Sequence, residues 1–295
     1  MTPEVCRPVV HLQPQEFRAA LSYTSAATGF SQRLIEKDYF CTLLLHDFAS
    51  LFDSGLIFKG GTSLSKVHAG FYRLSEDLDF IIPVELDVSR RVRREKIAPV
   101  KHHFASIPSR CSELQIIEPL TAHNLSKEYI GRIGYRSAAS GEVESVVVEI
   151  GLREPLLTLP LKAKAQTLLS NQKGNAAVVE PPNVTVLSTI ETYAEKIRAA
   201  LSRREPKIRD FYDISHAIRA GLIDPNDSEL RRLVGLKLAV PGNAPVDILP
   251  PKLQSLFIQA DTELKSVLRP DDHANFQLDN MFNIVAQIAI GLDRQ

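Results

Sequence analysis

The stretch LIFKGGTSLSKVHAGFYRLSEDLDF, residues 56–80, contains the two motifs that decide the fold. Its apolar start, LIFK, predicts a short strand that ends at Gly60 and Gly61. The next residues, TSLSKVHAG, predict a short helix with Thr62 as its N-cap candidate. DLDFIIP predicts a second strand, closed by Pro83. The segment therefore predicts a strand, a glycine turn, a helix and a strand in succession.

Two acidic residues begin the second predicted strand. Residues two apart in a strand share a face, so Asp77 and Asp79 point one way and Leu78 and Phe80 point into a core. Neighbouring carboxylates repel each other unless a cation lies between them. Because Mg²⁺ is usually held by one or two carboxylates plus substrate phosphates, Asp77 and Asp79 predict a site for Mg²⁺ (or Mn²⁺) and a phosphate-bearing substrate.

The glycine turn predicts a place for that phosphate. Glycines let the backbone approach a ligand closely, and a helix N-terminus offers free N–H groups to an anion. The nucleotide-binding candidates in this segment are Gly60, Gly61, Thr62, Ser63 and Lys66. A phosphate site beside a metal-binding acid pair is the combination that nucleotidyl transfer requires, with a nucleoside triphosphate (NTP) as substrate.

A third acid stands in the apolar run SVVVEIGL. Glu149 is the only charge in this run, and a charged residue in a buried strand needs a partner. One hypothesis is that Glu149 completes the acid cluster and serves as a base toward an attacking hydroxyl. The alternative is a solvent-facing position on an edge strand.

Composition limits the class of protein. The 295 residues include 35 Lys and Arg and 35 Asp and Glu, so the net charge is zero and any nucleic-acid surface must be a local patch. Cys6, Cys41 and Cys111 are far apart, which predicts reduced thiols. The sequence shows neither a signal-peptide pattern nor an apolar run of about 18 residues, so we expect a cytoplasmic protein without a membrane partner.

The remaining pattern predicts an α+β half followed by a helical half. The first fifty residues and DVSRRVRREKIAPVKHHFASI favour helices, with Pro99 interrupting the latter. Three further strand candidates are SELQIIEP, EYIGRIGYRS and VESVVVEIGL. SNQKGNAAVVEPP, residues 170–182, is the linker candidate, and nearly everything after it favours helix. The predicted domains are therefore 1–182 and 183–295.

Residues 56–80, together with IEKDYF at 35–40 and ETYAEKIRAALSRREPKIRDFYDI at 191–214, resemble the AbiEii/AbiGii (MenT-like) nucleotidyltransferase toxins of abortive-infection systems. The resemblance implies a polymerase-beta-like fold, with a mixed sheet, flanking helices and a helical C-terminal domain that completes the active-site cleft. It also implies transfer of nucleotides from an NTP to RNA, with the 3′ acceptor end of tRNA as the target class, and a consequent block of translation. A separately encoded antitoxin would be the partner.

The resemblance assigns roles to individual positions. Asp77 and Asp79 match the metal-binding acids, and Gly61, Thr62 and Ser63 match the nucleotide-binding turn. Lys196 matches a lysine that contacts the triphosphate, Asp213 and Asp210 match the acids of an R-D-x-x-D helix, and Ser75 matches a serine that is phosphorylated in some relatives to silence the enzyme. The usual turn is Gly-Ser, whereas this one is Gly-Gly-Thr-Ser, which leaves open which hydroxyl contacts phosphate.

Simpler explanations exist for several of these residues. Lys196 could be a lysine that extends to solvent beside an apolar stripe, and the two acids could pair with Arg209 or Lys207. Ser75 could be an ordinary turn residue. The local basic run supplies the RNA-binding candidates Arg90, Arg91, Arg93, Arg94 and Lys96, although a solvated helix face would also explain them.

Two other functions use the same residues. One is a non-catalytic protein that binds RNA or a partner, and the other is a nucleotidyltransferase that acts on a small molecule. The presence of all three acids and Lys196 favours catalysis, because a degenerate enzyme is expected to have lost some of them.

Overall fold

A seven-stranded mixed sheet organises the first of two units of the chain, in a computed structural model that describes residues 10–172 and 176–292. The strands are β1 (Ile57–Lys59), β2 (Asp77–Ile81), β3 (Gln115–His123), β4 (Glu128–Arg136), β5 (Val143–Gly151), β6 (Leu161–Lys164) and β7 (Asn183–Val186). They lie in the order β3-β4-β5-β2-β1-β7-β6. The β2–β5 and β1–β7 pairs are parallel, and the other four pairs are antiparallel.

The helices of the first unit are α1 (Pro14–Thr28), α2 (Gln32–Asp47), α3 (Ala49–Phe52), α4 (Gly60–Ser63), α5 (Arg90–Ala105) and α6 (Ile107–Arg110). One π-helical turn, Leu64–His68, continues α4. This mixed sheet with flanking helices confirms the predicted α+β class.

One face of the sheet packs against α2 and α5. Phe40 of α2 stacks on Tyr135 of β4 with ring centroids 3.8 Å apart. A Cβ atom added to Gly131 of β4 would lie 2.7 Å from the ring of Phe104 of α5. The same face of β2 presents Phe80, whose ring meets Phe48 after α2. We call this side of the sheet the core face.

Five predicted strands are confirmed, and two strands were not predicted. The missed strands are β6 and β7, both of four residues, and β6 is largely exposed, so neither has the long apolar alternation that marks a strand in sequence. The linker prediction for residues 170–182 is wrong, since its described residues belong to the first unit, which continues through β7 to Val186. Residues 173–175 of that segment lie outside the described residues.

The prediction that Pro99 interrupts a helix is also wrong. Helix α5 runs continuously from Arg90 to Ala105 with Pro99 inside it. Pro99 is exposed, so water can bind the backbone carbonyl of Glu95 that the proline nitrogen cannot.

The second unit is helical. Its helices are α7 (Thr189–Ser202), α8 (Ile208–Arg219), α9 (Ser228–Leu238), α10 (Pro250–Gln259), α11 (Pro270–Ala274) and α12 (Leu278–Leu292). It also includes the short segment Leu157–Leu159, although first-unit residues flank that segment in sequence. The carboxylate of Glu191 explains this, because it accepts hydrogen bonds from the backbone N–H groups of Leu157 and Thr158. Glu191 is buried, and Lys237 Nζ, 2.8 Å away, compensates its charge.

Two further expectations concern cysteines and membranes. Cys41 and Cys111 are buried and belong to no disulfide within the described part of the chain, and Cys6 lies outside the described residues. Among the helices of residues 10–172 and 176–292, none combines the length and the apolar character that crossing a bilayer demands.

Candidate nucleotidyl-transfer site

The opposite face of the sheet gathers the three predicted acids, and we call it the acid face. Along β2, residues alternate between half-buried and buried, so Asp77 and Asp79 share the acid face while Leu78 and Phe80 enter the core. Glu149 of β5 lies directly beside Asp79 in the parallel β2–β5 pair. Lys59 of β1 lies beside Asp79 on its other side. Strand register therefore places a lysine and two carboxylates in one row, and the solvent-facing edge-strand alternative for Glu149 is wrong, since β5 is an interior strand.

The glycine turn lies against this row. Gly60 follows β1 with φ +78°, a left-handed conformation, and a Cβ atom there would collide with the carboxylate Oδ2 of Asp79. A Cβ atom on Gly61 would lie 2.8 Å from both Arg73 Nη2 and Ser75 Oγ. Both positions therefore require glycine. The side chain of Asp79 approaches the backbone of Gly60, and Arg73 and Ser75 approach that of Gly61.

The two hydroxyls of the turn bind backbone carbonyls. Thr62 Oγ1 donates a hydrogen bond to the carbonyl of Asp77, and Ser63 Oγ donates to the carbonyl of Gly60 at 2.9 Å. Both residues are buried. Thr62 is not the N-cap, because α4 already begins at Gly60. Thr62 therefore connects the turn to β2, Ser63 bonds within the turn, and phosphate contact by either hydroxyl stays a prediction.

Lys66 does not face the site. It is fully buried, with Nζ 2.7 Å from a carboxylate oxygen of Asp38 and 2.8 Å from Thr42 Oγ1. A buried lysine that is paired in this way cannot reach a phosphate without breaking the ion pair, which speaks against Lys66 as a nucleotide ligand.

The carboxyl group of Glu149 has a raised pKa. Burial raises the pKa of its carboxyl to about 8, and the nearby Asp79 carboxylate adds to the rise, while Lys59 partly offsets it. At neutral pH the Glu149 carboxyl is therefore mostly protonated, because burial and the neighbouring carboxylate disfavour its ionised form.

This donor set suits a hard divalent cation, since it consists of carboxylates on one face of adjacent strands. Among residues 10–172 and 176–292, no group of three or more His, Cys, Asp and Glu side chains is arranged so that it could hold a metal ion.

In the second unit, the predicted acids of the helical half form a group with Lys196, which we call the helical cluster. Lys196 Nζ lies 2.9 Å from Asp210 Oδ1 and 3.0 Å from Asp213 Oδ2, and Arg203 lies 3.1 Å from the other oxygen of Asp210. Burial raises the pKa of Asp210, but Lys196 and Arg203 outweigh it, so the net pKa is lowered.

The helical cluster rules out two simpler explanations. The side chain of Lys196 is 14% exposed and ion-paired, so the lysine does not extend to solvent. The acids pair with Lys196 and Arg203 rather than with Arg209 or Lys207, since Lys207 pairs with Glu263 instead.

Ser75 is half-buried beside Gly61, and its role in regulation stays a prediction. The next residue, Glu76, forms ion pairs with Arg33 and Lys37 of α2. The segment before β2 is therefore held to α2.

The basic run lies on α5, which covers the core face. Arg93 is buried and donates a hydrogen bond to the carbonyl of Leu152 at 3.0 Å, so the prediction that it contacts RNA is not supported. Arg90 donates to Ser126 Oγ, and Arg91 pairs with Glu95. Arg94 and Lys96 are exposed, and an RNA role for them stays a prediction.

Sequence reasoning missed Lys59 and Arg73 as neighbours of the site. Lys59 directly precedes the glycine pair and Arg73 begins RLSEDLDF, so both stood inside the decisive stretch. Only the β1–β2 register and the packing at Gly61 show what they approach.

Comparisons with known proteins show the family to which the chain belongs. Residues 42–284 match the family described as nucleotidyl transferase AbiEii toxin, type IV toxin–antitoxin system. No curated protein matches the chain. The crystal structure of JHP933 from Helicobacter pylori superposes with a TM-score of 0.51 at 14% identity, covering 90% of this chain and 94% of that one. A second H. pylori structure, of a candidate nucleotidyltransferase, gives a TM-score of 0.48 at 14% identity over 85% of this chain and 92% of that one.

Proposed function

Because the chain belongs to the AbiEii family of nucleotidyltransferase toxins of type IV toxin–antitoxin systems, we propose that it transfers nucleotides from an NTP to the 3′ acceptor end of tRNA and so blocks translation. The observation that carries this proposal is the row in which Asp79 lies between Glu149 and Lys59, against the backbone of Gly60.

The proposed reaction joins an RNA hydroxyl to the α-phosphorus of the NTP. The bond from the 3′-oxygen to phosphorus forms, the bond from phosphorus to the β-phosphate oxygen breaks, pyrophosphate leaves, and the hydroxyl proton passes to solvent. Asp77 and Asp79 would hold Mg²⁺ or Mn²⁺, with Glu149 completing the acid cluster. Such an ion, when bound, supplies neutralisation of triphosphate charge and Lewis-acid polarisation.

The protein's own groups supply binding and orientation. The backbone of Gly60 and Gly61 would bind the triphosphate, next to Asp79, Arg73 and Ser75, which pack against these two glycines. The resemblance also gives Lys196 and Asp213 a part in the reaction, with Lys196 stabilising the charge that develops on pyrophosphate. A cytoplasmic site of action and a separately encoded antitoxin belong to the same proposal.

The deciding assay uses purified protein, total tRNA and each labelled NTP in turn, with Mg²⁺ or with EDTA. We expect one or more NTPs to label tRNA, EDTA to abolish labelling, and Asp79→Ala to do the same. Asp87→Asn, at an exposed acid outside the sheet, is the matched control and should label tRNA normally. Equal labelling by the wild type and Asp79→Ala would refute the assignment, and labelling of a small molecule alone would favour the small-molecule alternative.

Toxicity provides an independent test in cells. Expression of the wild-type chain should arrest bacterial growth, since a blocked acceptor end cannot be aminoacylated, whereas Asp79→Ala should be harmless at equal abundance. Equal toxicity of both would support the non-catalytic binding alternative.

A further inference from the structure

The acid face continues beyond the acids onto β4. Arg132 of β4 lies in register with Val147 of β5, and Val147 lies in register with Asp77 of β2. These three residues form one row on the same side of the sheet. With strands about 4.8 Å apart, the Cα atoms of Arg132 and Asp77 are about 10 Å apart.

The ion-pair partner of Arg132 can be exchanged. Its Nε lies 3.3 Å from Glu118 Oε1, and the two side chains are 36% and 55% exposed. Its Nη1 also donates a long hydrogen bond, 3.5 Å, to Ser145 Oγ. Exposed ion pairs contribute little, whereas a guanidinium binds phosphate through two parallel hydrogen bonds. A phosphate can therefore replace Glu118 at small cost.

Val147 lies between Arg132 and Asp77, and Ile130 lies between Arg132 and Glu128 along β4, where Glu128 hydrogen-bonds to Glu149. Val147 and Ile130, which lies beside Glu149, form an apolar strip and are half-buried on the acid face. A ribose or base can lie on these two side chains while its flanking groups reach the charged residues on either side.

The two sides of β2 differ. On the β1 side, the glycine turn packs against Asp79, and the proposed function places the triphosphate at this turn. On the β5 and β4 side, the strip leads to the guanidinium of Arg132, whose partner Glu118 can be exchanged. The reacting hydroxyl must approach phosphorus from the side away from pyrophosphate, which is the side of Arg132 if the triphosphate occupies the turn.

We propose that Arg132 binds the phosphodiester next to the reacting 3′ end of the acceptor, so that the single-stranded RNA crosses β5 and β4 on the acid face. This inference rests on the proposed function and names the path of its RNA substrate. It differs from the basic run of α5, which lies on the helix covering the core face.

The test measures RNA binding and transfer separately. Binding of a labelled single-stranded RNA with a free 3′-hydroxyl is followed by fluorescence anisotropy without NTP, and transfer is followed by steady-state kinetics. Arg132→Ala should weaken RNA binding and raise the KM for RNA about tenfold, the effect of losing one charged hydrogen-bonding group. It should leave the KM for NTP unchanged and reduce the salt dependence of RNA binding by about one counterion. Arg18→Ala, an exposed arginine of α1, is the matched control.

A double-mutant cycle separates Arg132 from general charge effects. Glu118→Gln frees Arg132 and should tighten RNA binding, and this gain should disappear in Arg132→Ala/Glu118→Gln. Arg132→Gln, which keeps most of the side-chain stem, replaces Arg132→Ala if the latter melts at a lower temperature than the wild type.

The outcomes distinguish the two proposals. Unchanged RNA binding in Arg132→Ala and Arg132→Gln, or an equal rise in the KM for NTP, overturns the Arg132 proposal while the proposed function stands. If the wild type labels no RNA, the proposed function fails, and the anisotropy arm alone then decides whether Arg132 binds RNA.

Discussion

The acid face of the sheet and the helical cluster both gather carboxylates, but they balance charge in opposite ways. On the acid face, strand register places Glu149 beside Asp79, and burial together with that neighbour raises the pKa of Glu149. In the helical cluster, Lys196 and Arg203 lower the pKa of Asp210 despite its burial.

The difference separates two uses of buried charge. A cation bound beside acids that repel each other would favour their ionised forms, whereas removing the cation from acids that are already paired leaves a buried charge uncompensated and destabilises the fold. Substitutions in the two regions should therefore affect activity and stability in different proportions.

The largest expected effect is on the activity of Asp79→Asn. Removing this charge should lower transfer about 10³-fold, in the range found for other preorganised electrostatic groups, while the free energy of unfolding stays near that of the wild type. Label incorporation and urea denaturation measure the two quantities. Asp213→Asn is the counterpart in the helical cluster and should instead lower stability. Near-normal transfer by Asp79→Asn would remove the acid face from the chemistry.

The next effect is on the stability of Lys196→Ala, which leaves Asp210 and Asp213 buried without their lysine. We expect the free energy of unfolding to fall by about 3 kcal/mol. Lys196→Arg keeps the charge and should recover part of this loss, and comparison of the two by urea denaturation isolates the charge.

The catalytic part assigned to Lys196 is tested on the same variants. Transfer at saturating tRNA, measured at a temperature where both variants remain folded, should be reduced in Lys196→Ala and partly restored in Lys196→Arg. Full activity of folded Lys196→Ala would leave the lysine a stabilising role alone.

Two glycine substitutions test the position of Asp79 on the acid face. Gly60→Ala and Gly55→Ala both place alanine at positive φ, a strain of about 1 kcal/mol. Only at Gly60 would the new Cβ meet Asp79, because the space around Gly55 is open. We expect Gly60→Ala to lose about 10²-fold in transfer through displacement of that carboxylate, and Gly55→Ala to keep wild-type transfer. Equal transfer rates in the two variants would show that the position of Asp79 against the turn is unimportant.

The smallest expected effect is on the pH dependence of stability. The pKa of Asp210 is lower in the folded state than its ordinary value of 3.8, so the folded state binds fewer protons there than the unfolded state does. Its contribution to stability is complete above that value and is lost as the pH falls through the lowered pKa. In Asp210→Asn, the urea concentration at the midpoint of unfolding should change less with pH below about pH 4 than in the wild type. An unchanged acid slope in this variant would mean that other carboxylates dominate acid unfolding.

Several features of the fold and site could be predicted from local pattern. Alternation along DLDF assigns Asp77 and Asp79 to one face, because successive strand residues point in opposite directions whatever the sheet around them. The glycine pair at the end of β1 predicts the close approach of a ligand to the backbone; the side chain of Asp79 approaches Gly60, and ligand contact stays a prediction. Residues 191–214 resembled a segment of the family, and the helices that form there match the 3.6-residue spacing of the apolar residues.

Tertiary structure alone decided which distant residues meet. Glu149 joins Asp79 only through the parallel β2–β5 pairing, and Lys66 and Arg93 are buried although their segments indicated ligand contacts. A sequence shows a residue's type and its local period, but register between strands far apart in the chain is chosen by the burial of whole faces, and a one-residue shift would reverse them. Strands β6 and β7 are too short to show an alternation of apolar residues, so only their pairing in the sheet identifies them.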